Sequence, residues 1–214
     1  MSQEPLQELL TLKQASELLK VHPNTLRARD KKGHSRMKFG KLDFNDVKQH
    51  SELVAEPTKE AIDTGLADVL VAEIDANLAD TAAFCEAYDI GLDVSANCVV
   101  MAAKRADKTW YAACMILATD RADINGVVRR QLDARKISFA PMDTATSLTK
   151  MEYGGITPIG LPDDWQLLVD EAITKKDKVI IGSGIRGSKL LVPGSIFSGL
   201  PNATIIDITK KEQM

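Results

Sequence analysis

Between Asn97 and Ile208 the chain carries six short apolar runs: NCVVMA (Asn97 to Ala102), WYAACMIL (Trp110 to Leu117), ISFA (Ile137 to Ala140), KVII (Lys178 to Ile181), KLLV (Lys189 to Val192) and ATIIDI (Ala203 to Ile208). Runs of this length, rich in β-branched residues and bounded by turn formers, read as strands. Two helix-like segments fall among them, Ile124 to Leu132 and Met142 to Met151. A third, TAAFCEAYDIG, precedes them behind a capping Asp80. Strands that outnumber helices and do not alternate with them exclude a doubly wound parallel sheet. They imply an α+β domain built on a mixed sheet.

Charge divides the chain. Between Thr11 and Lys41 nine basic residues face only Glu17 and Asp30, whereas between Ser51 and Ala103 eleven acidic residues face only Lys59. A break this sharp predicts two modules with different partners: a basic one over 1–52, a polar linker over 53–66 that carries Pro57, and a larger domain over 67–214. The N-terminus lacks the basic and apolar regions of a signal peptide, and no apolar run reaches membrane-spanning length. Cys85, Cys98 and Cys114 form no CxxC pair. They point to a reducing cytoplasm and buried packing rather than to a disulfide framework or a zinc site.

In the basic module Thr11 can cap a helix from Leu12 to Lys20 whose apolar residues share one face. Pro23 suits the first turn of a second helix, and RMKF-GK-LDF (Arg36 to Phe44) reads as a two-strand hairpin around Gly40-Lys41. Helix, turn, helix and hairpin wing resemble the excisionase and MerR-type DNA-binding family, a small, mostly helical winged helix-turn-helix. That resemblance implies nucleic-acid contacts from Asn24, Thr25, Arg27 and Arg29 on the recognition helix and from Lys38 and Lys41 on the wing. Duplex DNA and tRNA both fit, because attraction to phosphate does not distinguish the backbone that supplies it.

All three histidines, His22, His34 and His50, precede the linker. The larger domain therefore holds no Ser-His-Asp or Cys-His constellation and no histidine-ligated metal of its own. Gly182, Gly184 and Gly187 spell GxGxxG after a strand, yet Pro193-Gly194 interrupts the helix that a dinucleotide fingerprint must open. No cofactor or metal is expected. The segment MEYGGITPIGLP (Met151 to Pro162) packs three glycines and a Thr-Pro step into one loop, a composition suited to close backbone approach to a ligand.

NCVVMA, ADINGVVRRQLDARKISFAP, MEYGGITPIG, LLVD and IGSGIRG, in that order over about 67–207, resemble the YbaK family and the editing insert of bacterial prolyl-tRNA synthetases. The resemblance implies a YbaK-like mixed β-sheet or barrel with flanking helices. It also implies hydrolysis of the ester on tRNA charged with the wrong small amino acid. Carried over, Gly154, Gly155, Thr157, Pro158 and Gly160 line the aminoacyl pocket beside Tyr153. Asp170 and Gly182, Ser183 and Gly184 form its other walls. The family's lysine falls at Asn97, an uncharged donor, and a frequent histidine falls at Ser188. The resemblance thus implies a trans-acting aminoacyl-tRNA deacylase. The helix-turn-helix pattern and Asn97 favour the alternative, a DNA-binding regulator whose pocket senses an amino acid or aminoacyl compound without turnover.

Overall fold

The structure, a computed structural model, describes residues 36–210. The expected helix-turn-helix, with Asn24, Thr25, Arg27 and Arg29, lies outside the described residues. Two curled five-stranded sheets organise the rest. One has the order β1-β2-β3-β9-β8 (Met37–Phe39, Leu42–Asp46, Leu70–Glu73, Ser188–Val192, Val179–Gly182), and the other β10-β7-β5-β4-β6 (Ala203–Ile206, Gln166–Asp170, Lys108–Leu117, Ala96–Arg105, Lys136–Phe139). The second is mixed: β4 runs antiparallel to β5 and β6, while β7 lies parallel to both β5 and β10. A bridge between Ser95 and Ile180 joins the two sheets.

The apolar periodicity explains the layering. Val71, Ile181 and Leu190 from the first sheet and Ala113, Met115 and Val169 from the second meet in one core between them. The outer face of the first sheet buries Phe44, Leu70 and Leu191 beneath Phe84 of α2 (Thr81–Tyr88). The outer face of the second is covered by Val128 and Leu132, from a π-helical turn (Ile124–Val128) that runs into α3 (Arg129–Gln131). Sequence periodicity predicts an ordinary α-helix there. Both Asp123 carboxylate oxygens instead take the Gly126 and Val127 amides, and this cap fixes the wider turn.

The hairpin expected as a DNA-binding wing belongs to the larger domain. β2 pairs antiparallel with β3 (Asn45 with Val71, Asp46 with Leu70), and Phe44 is wholly buried, a burial that contributes on the order of 2 kcal/mol. The hairpin tip docks on the end of α2. Lys41 donates its amide to the Tyr88 carbonyl at 2.8 Å and its ammonium to the Ala87 carbonyl at 3.1 Å, which complements the negative end of the helix. Lys38, on β1, is exposed. The segment read as a linker carries α1 (Glu56–Asp63), with Thr58 and Ile62 buried. Leu53 accepts a hydrogen bond from Ser188 Oγ, the Ala55 amide donates to the Ser183 carbonyl at 3.1 Å, and Thr58 Oγ1 donates to the Ile159 carbonyl at 3.2 Å. Charge contrast and Pro57 obscured this helix, because Pro sits comfortably in a first turn.

Candidate functional site

β6 pairs with β4 only from Met101 onward, and the Ala140 amide closes on the Val100 carbonyl. The Asn97–Val99 edge of β4 is left without a neighbouring strand on that side and opens on a cavity of about 560 Å³, a volume typical of small-ligand sites. The start of α2, Asp80 and Thr81, forms one wall. The loop at Tyr153-Gly154 with Gly182, Arg186 and Lys189 forms another, and Phe139 and Met142 stand at the rim. Both sheets therefore contribute.

Two glycine turns build the second wall by gripping each other. Gly184 donates its amide to the Gly155 carbonyl at 2.7 Å, and Glu152 donates its own to the Gly184 carbonyl at 2.8 Å. A side chain on Gly155 would strike the Ile185 backbone at 2.5 Å, and one on Gly182 would strike the Gly155 carbonyl. Arg186 then clamps the loop: its guanidinium donates to the Tyr153 carbonyl at 3.0 Å and the Ala76 carbonyl at 3.0 Å. Gly154 lies at φ +83°, beside that guanidinium, where a Cβ strains the backbone and would displace Arg186 from the loop.

Of the residues the sequence singles out, Asn97, Tyr153, Gly154 and Gly182 meet at the cavity. The others fall around its supports. Gly155 and Gly184 are the turn contacts, and Gly184 also abuts Ala55. Ser183 and Ser188 are buried and hydrogen-bonded to each other and to turn carbonyls. Pro158 and Gly160 face a separate cleft of about 210 Å³ beside α1. Thr157 is fully buried, and among the described residues its hydroxyl has no hydrogen-bond partner. Asp170 is a structural cap: one carboxylate oxygen accepts from the Ala172 amide at the start of the short helix Glu171–Thr174, the other from the Ile208 amide.

Part of the chemistry of the cavity lies in a residue the sequence did not flag. Lys189, 7% exposed, donates to the Ala79 carbonyl at 3.1 Å and lies 5.3 Å from the centre of the Phe84 ring. Burial lowers its pKa below the ordinary lysine range, and Arg186 adds to this while Cys85 and Asp80 oppose it. Among the described residues no carboxylate forms an ion pair with it. The KLLV run hid it, because a lysine that precedes Leu190 and Leu191 reads as the polar end of an apolar run. Asn97 Oδ1 accepts from Thr81 Oγ1 at 2.6 Å, which leaves its Nδ2 donors for a ligand. Asp80 Oδ1 caps α2 through the Ala82 and Ala83 amides. Cys98 lines the cavity, but burial pushes its thiol far up and Cys114's to about 12, so neither is a thiolate nucleophile. Among the described residues no group of His, Cys, Asp and Glu could hold a metal ion. No described helix is long and apolar enough to cross a membrane.

Comparison with solved structures finds the same fold at low identity. A candidate trans-editing enzyme for prolyl tRNA synthetase matches at a TM-score of 0.63 and 17% identity, covering 72% of this chain and 96% of that one. A scaffold protein used for epitope grafting by computational design matches at 0.63 and 17%, covering 73% and 97%. A hypothetical protein matches at 0.64 and 18%, covering 72% and 100%. No curated protein sequence matches the chain. The profile of the aminoacyl-tRNA editing domain matches residues 75–196, which hold both glycine turns, the open edge of β4 and the buried lysine. The chain belongs to the aminoacyl-tRNA editing domain family.

Proposed function

We propose that the chain is a trans-acting deacylase that hydrolyses the ester of tRNA mischarged with a small amino acid. The observation that carries this reading is a cavity of about 560 Å³ whose polar groups are fixed donors and one carboxylate, with no activated nucleophile. Such a site suits direct attack by water. The water oxygen adds to the ester carbonyl, and the negative charge on the carbonyl oxygen meets the Lys189 ammonium and the Asn97 amide. Collapse breaks the bond to the ribose oxygen, which takes up the proton that the attacking water gives up and leaves as the free hydroxyl of the tRNA. A ribose hydroxyl of the substrate helps place the water. Asp80 keeps one oxygen for the substrate's α-ammonium group, and the Gly154 and Gly182 backbone bounds the amino-acid side chain. The likeness of fold to a candidate trans-editing enzyme for prolyl tRNA synthetase supports the same reading, with cavity size as the sieve.

Asn97, uncharged and already bonded to Thr81, is the observation that favours a second reading. In it the pocket senses an aminoacyl compound without turnover, and the basic N-terminal segment binds duplex DNA. One screen separates the two: tRNAs charged with alanine, serine, threonine and cysteine are incubated with the protein and the remaining ester is counted. Loss of one ester faster than the others supports the deacylase. Binding of alanyl-adenosine with no loss of any ester supports the sensor.

A further inference from the structure

Five large apolar side chains are exposed among the described residues, Leu92, Phe139, Met142, Leu148 and Tyr153, and three of them, Phe139, Met142 and Tyr153, line the cavity of about 560 Å³. Phe139 is 66% exposed and ends β6, the edge strand of its sheet. At the other end of β6, roughly 10 Å away at strand spacing, Lys136 lies directly opposite Lys104 of β4 in the antiparallel register. Arg135, whose amide donates to the Lys104 carbonyl, adjoins both, and all three side chains are exposed. The nearby Asp133 is taken by Arg105 at 2.6 Å, and among the described residues none of the three cations is in an ion pair. Like charges directly opposite each other on a sheet destabilise it, so a polyanion laid here relieves a repulsion built into the strand pair.

We infer that the β4–β6 edge is the track for the 3′ strand of a tRNA: Lys104, Arg135 and Lys136 hold acceptor-end phosphates, and Phe139 stacks on a terminal base as the strand enters the cavity. The inference rests on the deacylase reading for the direction of the strand, but not for its binding. Single-stranded RNA is recognised by basic side chains along its backbone together with an aromatic face for its bases. The arrangement assigns tRNA contact to the editing domain itself, at residues away from Lys38 and Lys41.

Full-length protein is titrated with uncharged tRNA at several salt concentrations, comparing the parent with K104Q/R135Q/K136Q and with K48Q/K175Q/K210Q, which removes three exposed lysines elsewhere. The first variant is expected to bind at least tenfold more weakly, with a log–log salt slope flatter by about two units, and the second to bind as the parent does. The parent is expected to lose affinity for tRNA whose 3′-terminal CCA has been trimmed, and Phe139→Ser to bind intact and trimmed tRNA alike. Equal binding by the two triple variants overturns the track, as does a trimming effect that persists in Phe139→Ser. Duplex DNA binding that falls with K104Q/R135Q/K136Q, with no effect of trimming the tRNA, overturns it in favour of DNA. Turnover of alanyl-adenosine by the parent is measured separately. Its absence alongside the expected tRNA results refutes the deacylase and leaves the track standing.

Discussion

A buried cation with no ion-pair partner among the described residues is expensive unless its charge is used, and Lys189 makes that trade testable. Its pKa is lowered by burial, so keeping the ammonium costs the folded protein stability relative to the unfolded chain. Lys189→Met is therefore expected to be at least as stable as the parent at neutral pH. The excess is full below the lowered native pKa and fades as pH rises toward 10.5, the ordinary lysine value. Thermal melts across that range check the sign. The same substitution is expected to lower kcat for ester hydrolysis by about 100-fold, the usual loss for one oxyanion donor. A stable variant with unchanged kcat would remove Lys189 from the chemistry. Gly155 is the opposite kind of residue. Its hydrogen faces the Ile185 backbone and not the cavity, so Gly155→Ala is expected to cost about 1–3 kcal/mol of stability. Gly187→Ala, where a Cβ meets nothing within 4 Å, is expected to stay within about 0.5 kcal/mol. Urea melts of the pair check this, and equal midpoints would sink the account of interlocked turns.

At the scale of elements, the legible parts were those with a local signature. The β4 and β5 runs, the Asp80 cap of α2 and the hairpin around Gly40-Lys41 all follow from periodicity and turn chemistry in the sequence alone. What stayed illegible depended on partners distant in the chain. The hairpin reads as a wing because its role is set by β3 and the end of α2, about 25 and 45 residues further on. α1 reads as a linker because only Ile62 and Thr58 of its eight residues are buried, and the hydrogen-bond partner of Thr58, the Ile159 carbonyl, lies about 100 residues further on. Lys189 was missed because charge in a strand is ordinarily exposed, and its burial comes from α2 packing over it. These elements are expected to be required. A chain of residues 36–214 should melt cooperatively. A chain of 67–214, which strips β1 and β2 from the first sheet and α1 from Gly160 and Gly184, should not. Circular dichroism melts of the two fragments decide it: a cooperative transition from 67–214 would show that the early elements only decorate the domain.

For the molecule as a whole, the position of the cavity matters more than its size. Asn97, Val99 and Phe139 belong to one sheet, Gly182 and Lys189 to the other, and the shared core of Val71, Leu190, Met115 and Val169 lies between the two. A ligand held from both sides binds only while the sheets keep their relative position, so its binding energy adds to global stability instead of to one loop. A non-hydrolysable amide analogue of alanyl-adenosine at 100 times its Kd is expected to stabilise the fold by about 2.7 kcal/mol. For a domain of this size that raises the melting temperature by about 5–10 °C in a single transition. Lys189→Met, which loses one contact from the sheet that holds β9, should show a smaller rise at the same analogue concentration whatever its starting stability. Calorimetry with and without the analogue provides the check. A melt that splits into two transitions, one of them insensitive to the analogue, would show that the sheets unfold separately and that the site belongs to only one of them.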